Sequence, residues 1–246
     1  MQPEDDLVEE ARRLLHLAPE SAVALRLLGG AAIRLRTPDL PAVLVRDFKD
    51  LDFATLPGAT SGVSRLFGEA GYEPDAAFNT LHGKRRLIFF DSARGRKTDV
   101  FVGSFEMSHT IPVAERLELE PLTLPLAELL VTKLQIFELN EKDVSDALAL
   151  VVRHEVAEED GDAINSRRVA ELCASDWGLW RTLTANLAAV RERAGEYELD
   201  DADRAAAAAR VEALLERIEA EPKPRAWRLR ARVGDRVRWY ELPEEV

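Results

Sequence analysis

The sequence lacks the features that mark secreted and membrane proteins. It has a single cysteine, Cys173, in 246 residues, so no internal disulfide can form, and we expect this residue to be a small buried apolar one. No uninterrupted apolar run approaches the roughly 18 residues that a bilayer span needs. The acidic start, MQPEDDLVEEARRLL, is unlike a secretory leader. These absences predict a soluble, cytoplasmic protein that does not enter a membrane.

Several common catalytic signatures are also missing. The chain has no P-loop, no nucleophile elbow and no dinucleotide-binding fingerprint. The histidines do not have the spacing of metal ligands. They are His16, His82, His109 and His154. Any chemistry must therefore be carried by other residue types, and the acids are the first to consider.

The charge is unevenly distributed. A net charge of -12 argues against a protein that coats nucleic acid with its whole surface. Two segments are nevertheless basic: residues 82–99 hold six Lys or Arg and two Asp, and residues 223–239 hold seven Lys or Arg and one Asp. Each is consistent with a solvated strand face or with a binding surface for phosphates, and the sequence leaves both open.

The order of the periodic segments predicts an α+β protein. Residues 1–122 alternate short apolar runs with helical patterns, which is typical of a sheet with flanking helices. Residues 123–246 read as successive amphipathic helices. The segments around Arg94 and around Gly234-Asp235 resemble hairpins with basic side chains, the second of them closing the helical half.

Three acids lie in strand-like runs. In RDFKDLDF, Asp50 and Asp52 would point to the same side of a strand, with Leu51 packed behind them. Asp99 lies in KTDVFV, where it shares a side with Phe101. Neighbouring carboxylates repel each other unless a cation lies between them, and Mg²⁺ prefers oxygen ligands. The pattern predicts a site in which Asp50, Asp52 and Asp99 bind divalent metal and nucleotide phosphates.

Two glycines precede these acids. Gly29-Gly30 follows an apolar run and opens a short helical pattern, so it predicts a tight strand-to-helix turn. A turn without side chains allows backbone N–H groups to approach a phosphate, although it is also an ordinary connection.

Two further charges lie where apolar residues are expected. On helical wheels, Lys133 falls within the apolar sector of PLAELLVTKLQIF, and Asp143 falls at the centre of the apolar face of the next helix. One interpretation is a Lys133–Asp143 pair that locks the two helices together. The other is that Lys133 reaches a triphosphate and Asp143 orients it.

In this order, the segments LLGGAAIRLR, RDFKDLDF, KTDVFV and LLVTKLQIFELNEKDVSDALAL resemble the nucleotidyltransferase superfamily. They are most similar to the AbiEii-type nucleotidyltransferases of bacterial toxin–antitoxin and abortive-infection systems. The resemblance covers roughly residues 20 to 155. In that family a Gly-Gly turn precedes a D-x-D strand, and a helix with a lysine leads into a K-D-x-x-D segment.

The resemblance implies a nucleotidyltransferase fold, an NTP substrate with Mg²⁺ or Mn²⁺, and transfer of a nucleoside monophosphate. It maps nucleotide binding to Gly29, Gly30 and Lys133. Catalytic roles map to Asp50, Asp52, Asp99, Lys133 and Asp143, of which the first three would also bind the metal. Some family members act on the acceptor end of tRNA, which makes RNA a candidate acceptor. Because the family occurs in toxin–antitoxin systems, an antitoxin protein is a candidate partner. Two alternatives remain: a transferase that modifies a small molecule or protein, and a catalytically idle relative that only binds a partner.

Overall fold

The computed structural model of the protein describes residues 2–242, and these form two compact units. The first, here the sheet unit, comprises the described residues up to Pro38 together with Asp47–Phe105 and Pro112–Leu124. The second, the helical unit, comprises Asp39–Arg46, Glu106–Ile111 and the described residues from Pro125 onward. The chain thus makes its last switch between units two residues after the predicted boundary at 122, and it lends two short earlier segments to the helical unit.

The sheet unit is built on a mixed five-stranded sheet with the order β1-β2-β5-β4-β3. Its strands are β1 (Leu25–Leu28), β2 (Leu51–Thr55), β3 (Glu73–Pro74), β4 (Arg86–Asp91) and β5 (Arg96–Val102). Its helices are α1 (Leu7–Leu17), α2 (Gly29–Arg36), α3 (Thr60–Glu69) and α4 (Ala76–His82). Strands β2 and β5 run parallel at the centre, and the other neighbours are antiparallel. The predicted α+β class is therefore confirmed.

The two sides of this sheet differ in character. One register row contains only buried apolar side chains, and it comprises Leu27, Phe53, Val100 and Leu87. On this side the ring of Phe67 from α3 stacks on Phe89 at 4.5 Å between centroids. The adjacent row points to the opposite side and comprises Leu28, Asp52, Asp99 and Ile88. The sheet thus buries one face in the core and carries two neighbouring acids on the other.

The predicted hairpin around Arg94 is confirmed, since β4 and β5 pair antiparallel on either side of it. Arg94 and Arg96 of this hairpin both form ion pairs within the protein. Arg94 donates to Asp5 at 2.7 Å, and the buried Arg96 donates to Asp91 at 2.6 Å. After β5, the short strands β6 (Ser104–Glu106) and β7 (Thr110–Pro112) form a separate two-stranded sheet.

The helical unit contains most of the remaining regular structure. Its helices are α5 (Leu126–Leu134), α6 (Glu141–Arg153), α7 (Ser166–Ser175), α8 (Trp177–Arg193), α9 (Asp201–Ala220) and α10 (Arg225–Val233). Strands β8 (Glu155–Ala157) and β9 (Ala163–Asn165) pair in parallel between α6 and α7. Side-chain oxygens of Asn140, Asn165 and Asp200 accept backbone N–H bonds at the starts of α6, α7 and α9. Cys173 is buried in α7, as expected.

The predicted terminal hairpin is wrong. Residues 225–233 form helix α10 instead of a strand, because Pro224 favours a helix start and Gly234, with φ of 59°, ends it. The helical period turns Trp227 inward, where its ring meets Trp180 edge-on at 5.1 Å and its N–H donates to the carbonyl of Cys173. Among residues 2–242, no helix is both long enough and apolar enough to cross a membrane.

Candidate active site

The predicted glycine turn is present, and it lies in contact with the carboxylate of Asp52. Strand β1 ends at Leu28, and α2 begins at once with Gly29. Gly29 has a φ of 71°, and a Cβ atom built on it would lie 2.3 Å from Oδ2 of Asp52. Glycine is required here for both its backbone conformation and its lack of a side chain. The turn therefore brings the first backbone groups of α2 into contact with the Asp52 carboxylate.

Asp52 and Asp99 are neighbours across the parallel ladder. Asp52 of β2 is in register with Asp99 of β5, so both side chains project from the same face of the sheet. Asp52 is half-buried, and Asp99 is 3% exposed. Neighbouring parallel strands lie about 4.8 Å apart, so the two side chains start from adjacent positions on the sheet.

Asp99 already has cationic partners. Arg86 of β4 lies 2.7 Å from its Oδ1, and Lys97, two residues earlier on β5, lies 3.4 Å from its Oδ2. The guanidinium of Arg86 also lies over the ring of Phe101 at 5.2 Å. These contacts compensate the burial of the negative charge and hold the Asp99 side chain in place.

Asp50 lies just outside the ladder. Strand β2 begins at Leu51, and Asp50 is an exposed residue that precedes it. Among residues 2–242, no three or more His, Cys, Asp or Glu side chains form a group that could hold a metal ion. Mg²⁺ usually takes only one or two protein carboxylates, and water and substrate phosphates fill its other positions. Asp52 and Asp99 supply two neighbouring carboxylates, and Asp50 directly precedes the strand that carries Asp52.

The other predicted residues lie in the helical unit and contact one another. Lys133 of α5 places its Nζ 2.9 Å from Oδ2 of Asp146 and 3.6 Å from Oδ1 of Asp143, both on α6. Burial raises the pKa of Asp143, and the nearby Lys133 partly offsets that rise. The pairing of Lys133 with α6, which the sequence left as one of two interpretations, is thus present in the structure, with Asp146 as the closer partner.

Sequence reasoning missed the second cation of this cluster. Arg46 forms a bidentate pair with Asp146, in which Nε lies 2.7 Å from Oδ1 and Nη2 lies 2.5 Å from Oδ2. Arg46, Lys133, Asp143 and Asp146 are here called the α5–α6 charge cluster. Arg46 is the first residue of the segment RDFKDLDF and precedes the start of β2 by five residues. Nothing in its local pattern indicated a partner 100 residues away.

No protein-family model and no curated protein matches this chain.

Proposed function

We propose that this chain is a metal-dependent nucleotidyltransferase that moves a nucleoside monophosphate from an NTP to a hydroxyl group. The observation that supports the proposal best is the close approach of the Gly29 turn to Asp52, beside Asp99 on the same sheet face. This arrangement combines a glycine turn at a helix N-terminus with two carboxylates, which are groups that a metal-bound triphosphate can use. The similarity of the segments around them to AbiEii-type nucleotidyltransferases adds to it.

The proposed roles follow from position. Asp50 and Asp52 would hold the divalent ion together with the triphosphate, and the N-terminus of α2 at Gly29-Gly30 would face a phosphate oxygen. A bound Mg²⁺ or Mn²⁺ supplies charge neutralisation on the phosphates and polarises the α-phosphorus. Asp99 accepts a hydrogen bond from the attacking hydroxyl and takes its proton as the new P–O bond forms. The bond between the α-phosphorus and the oxygen that bridges the α- and β-phosphates then breaks, and diphosphate leaves with the electron pair of that bond.

Fewer observations bear on the identity of the acceptor than on the proposed reaction. The family resemblance favours an RNA hydroxyl, as in tRNA, and a toxin-like role with an antitoxin partner; a small molecule or protein is the alternative acceptor. Two of the basic residues expected to hold an RNA backbone have partners within the protein. Arg94 pairs with Asp5, and Arg230 donates to the carbonyls of Gly234 and Val237.

One observation favours a second candidate, a nucleotidyltransferase-like protein that binds a partner without catalysis. Lys133, which was expected to reach the triphosphate, lies 2.9 Å from Asp146. Asp99 likewise has Arg86 at 2.7 Å. Ion pairs of this kind are also what a purely structural core would contain.

Labelling with each of the four NTPs tests the proposal. The protein is incubated with α-³²P-labelled ATP, CTP, GTP or UTP and Mg²⁺, with total RNA or a cell lysate as the source of acceptor. We expect label to enter RNA or another macromolecule or metabolite with at least one nucleotide, and EDTA to abolish it. In parallel, thermal unfolding is followed with each NTP, with and without Mg²⁺. No labelling and no metal-dependent stabilisation would support the idle candidate instead.

A further inference from the structure

The unpaired arginines of the described chain are concentrated near its C-terminal end. The guanidinium groups of Arg225, Arg228, Arg232 and Arg236 have no hydrogen-bond or ion-pair partner among residues 2–242. Exposed arginines elsewhere do have partners: Arg12 pairs with Glu9, Arg167 with Glu158 and Arg191 with Glu212. On a chain with a net charge of -12, a cluster of uncompensated cations is a local feature that folding alone does not explain.

Three of these arginines line one side of α10. Arg225, Arg228 and Arg232 are spaced i, i+3 and i+7, which places them within about 60° of one another around the helix. Beside them, Leu229 is 60% exposed and Val233 is 39% exposed. These five residues are here called the α10 surface. It carries three basic and two aliphatic side chains along the same helix.

The opposite side of α10 is fixed to the helical unit. Trp227 contacts Trp180, and Arg230 lies over the ring of Trp177 at 4.3 Å. Arg230 also donates to two carbonyls of the segment that follows the helix. The helix is therefore held in one orientation before any partner arrives, which lowers the entropic cost of binding at its outer side.

The exposed aliphatic character continues beyond the helix. Val237 and Leu242 are each 57% exposed. An open depression of about 640 Å³ at the end of the helix is lined by residues 232–236. Asp235, the acid within it, contacts Arg181, so its charge is already compensated.

We propose that the α10 surface is a docking site for an acidic amphipathic segment of another protein. Charge complementarity calls for a run of carboxylates opposite the three arginines, and Leu229 and Val233 call for apolar side chains on the same partner. A nucleic-acid backbone would use the arginines but would leave the aliphatic side chains exposed. A bilayer would need a broader apolar face than the two exposed aliphatic side chains of this helix provide. The site uses none of the acids of the sheet unit, so it is independent of the proposed transferase.

Peptide binding to the full chain tests this proposal. The probe is a fluorescein-labelled helical peptide with leucines on one face and glutamates on the other, followed by fluorescence anisotropy. A scrambled peptide of the same composition has no apolar face and serves as the first control. A labelled uridine oligonucleotide and phosphatidylserine-containing vesicles represent the other two classes of ligand.

Two variants separate the two halves of the surface. R225Q/R228Q/R232Q removes the cations, and L229S/V233S removes the aliphatic contacts. The matched control R12Q/R167Q/R191Q makes the same change in net charge at three exposed arginines outside the surface. Circular dichroism and thermal unfolding establish that each variant is folded, and the single variant R228Q replaces the triple one if that protein does not fold.

We expect the wild-type chain to bind the amphipathic peptide more tightly than the scrambled one. Both surface variants should lower that affinity by roughly tenfold or more, and the control triple variant should leave it unchanged. The D52N variant should bind the peptide as the wild type does. Absence of peptide binding, an equal loss in the control variant, or tighter binding of the oligonucleotide or the vesicles at the same arginines would overturn the proposal.

Discussion

A Cβ atom on Gly29 would lie 2.3 Å from Oδ2 of Asp52, so the strand-to-helix turn and the acid-bearing strand cannot be altered independently. The turn follows β1, whose last residue, Leu28, is the register partner of Asp52. Two sequence features that are 23 residues apart thus form one contact. The pairing of β1 with β2 therefore sets both the backbone conformation of the turn and the position of the Asp52 carboxylate.

Gly29→Ala should destabilise the protein by about 3 kcal/mol, because it combines a left-handed backbone strain with a steric clash. Gly58→Ala is the matched control: Gly58 has a φ of 85°, but nothing lies within 4 Å of its added Cβ. That variant should lose only about 1 kcal/mol. Urea unfolding measures both. In an Asp52→Ala background the cost of Gly29→Ala should fall, and equal costs in the two backgrounds would show that the contact with Asp52 is unimportant.

Asp52→Asn should abolish nucleotidyl transfer and leave a folded protein. The substitution keeps the size of the side chain but removes the charge that the proposed metal–triphosphate complex needs, so we expect a rate loss of at least roughly a hundredfold. The measurement is incorporation of labelled nucleotide at saturating Mg²⁺. Asp39→Asn, at an exposed loop position, controls for a general effect of losing one acid. Unchanged turnover in Asp52→Asn would refute the catalytic assignment.

The sequence was sufficient where a local pattern and the tertiary contact agree. The alternation in KTDVFV predicted that Asp99 and Phe101 share one face of a strand, and the register places Asp52 on that same face. The Gly29-Gly30 turn was predicted from its position between an apolar run and a helical pattern. In both cases the period of the backbone, rather than a distant partner, decides where the side chain points.

The predictions failed where contacts between residues far apart in the chain determine the structure. The alternation in RLRARV reads as a strand, yet Trp227 packs on Trp180 only if that segment is helical. Arg46 gave no sign of its bidentate pair with Asp146, because ion-pair partners far apart in the chain leave no local period. For the same reason, the sequence suggested Asp143 as the partner of Lys133, although Asp146 lies closer.

Asp146→Asn should destabilise the protein by about 3 kcal/mol, since it leaves the cations of the α5–α6 charge cluster without their nearest carboxylate. The Asp146 side chain is only 6% exposed, so water cannot replace it. Lys133→Met should cost less, because Arg46 still pairs with Asp146. Urea unfolding of the two variants gives the comparison. If Lys133→Met proves the more costly change, Lys133 has a structural role beyond this pair.

The same variants bear on the nucleotide. If Lys133 serves only to join α5 and α6, Lys133→Met should change stability and leave any Mg²⁺-dependent stabilisation by NTP intact. If it contacts the triphosphate, that stabilisation should fall while the protein remains folded. Thermal unfolding with and without NTP distinguishes these outcomes. Lys142→Met, on the exposed side of α6, is the matched control and should behave as the wild type in both measurements.

His109 should make the protein less stable as the pH falls. Its ring is buried, and its Nε2 lies 2.9 Å from the hydroxyl of Thr182, which also accepts a bond from the indole N–H of Trp239. Burial lowers the pKa of His109, and Asp176, 4.0 Å from Nδ1, offsets only part of this. The folded state therefore keeps the imidazole neutral at pH values where the unfolded chain, with a pKa near 6.5, takes up a proton.

The contribution of His109 to the free energy of unfolding is therefore fully present above about pH 7.5. It decreases as the pH falls through 6.5, by at most about 1.4 kcal/mol per pH unit. Urea unfolding of the wild type and of His109→Gln across this range isolates the contribution, because the acids that also titrate are common to both. The difference in unfolding free energy between the two should shrink as the pH falls. A slope in His109→Gln equal to that of the wild type would mean that the buried imidazole is protonated in the folded state as readily as in the unfolded chain.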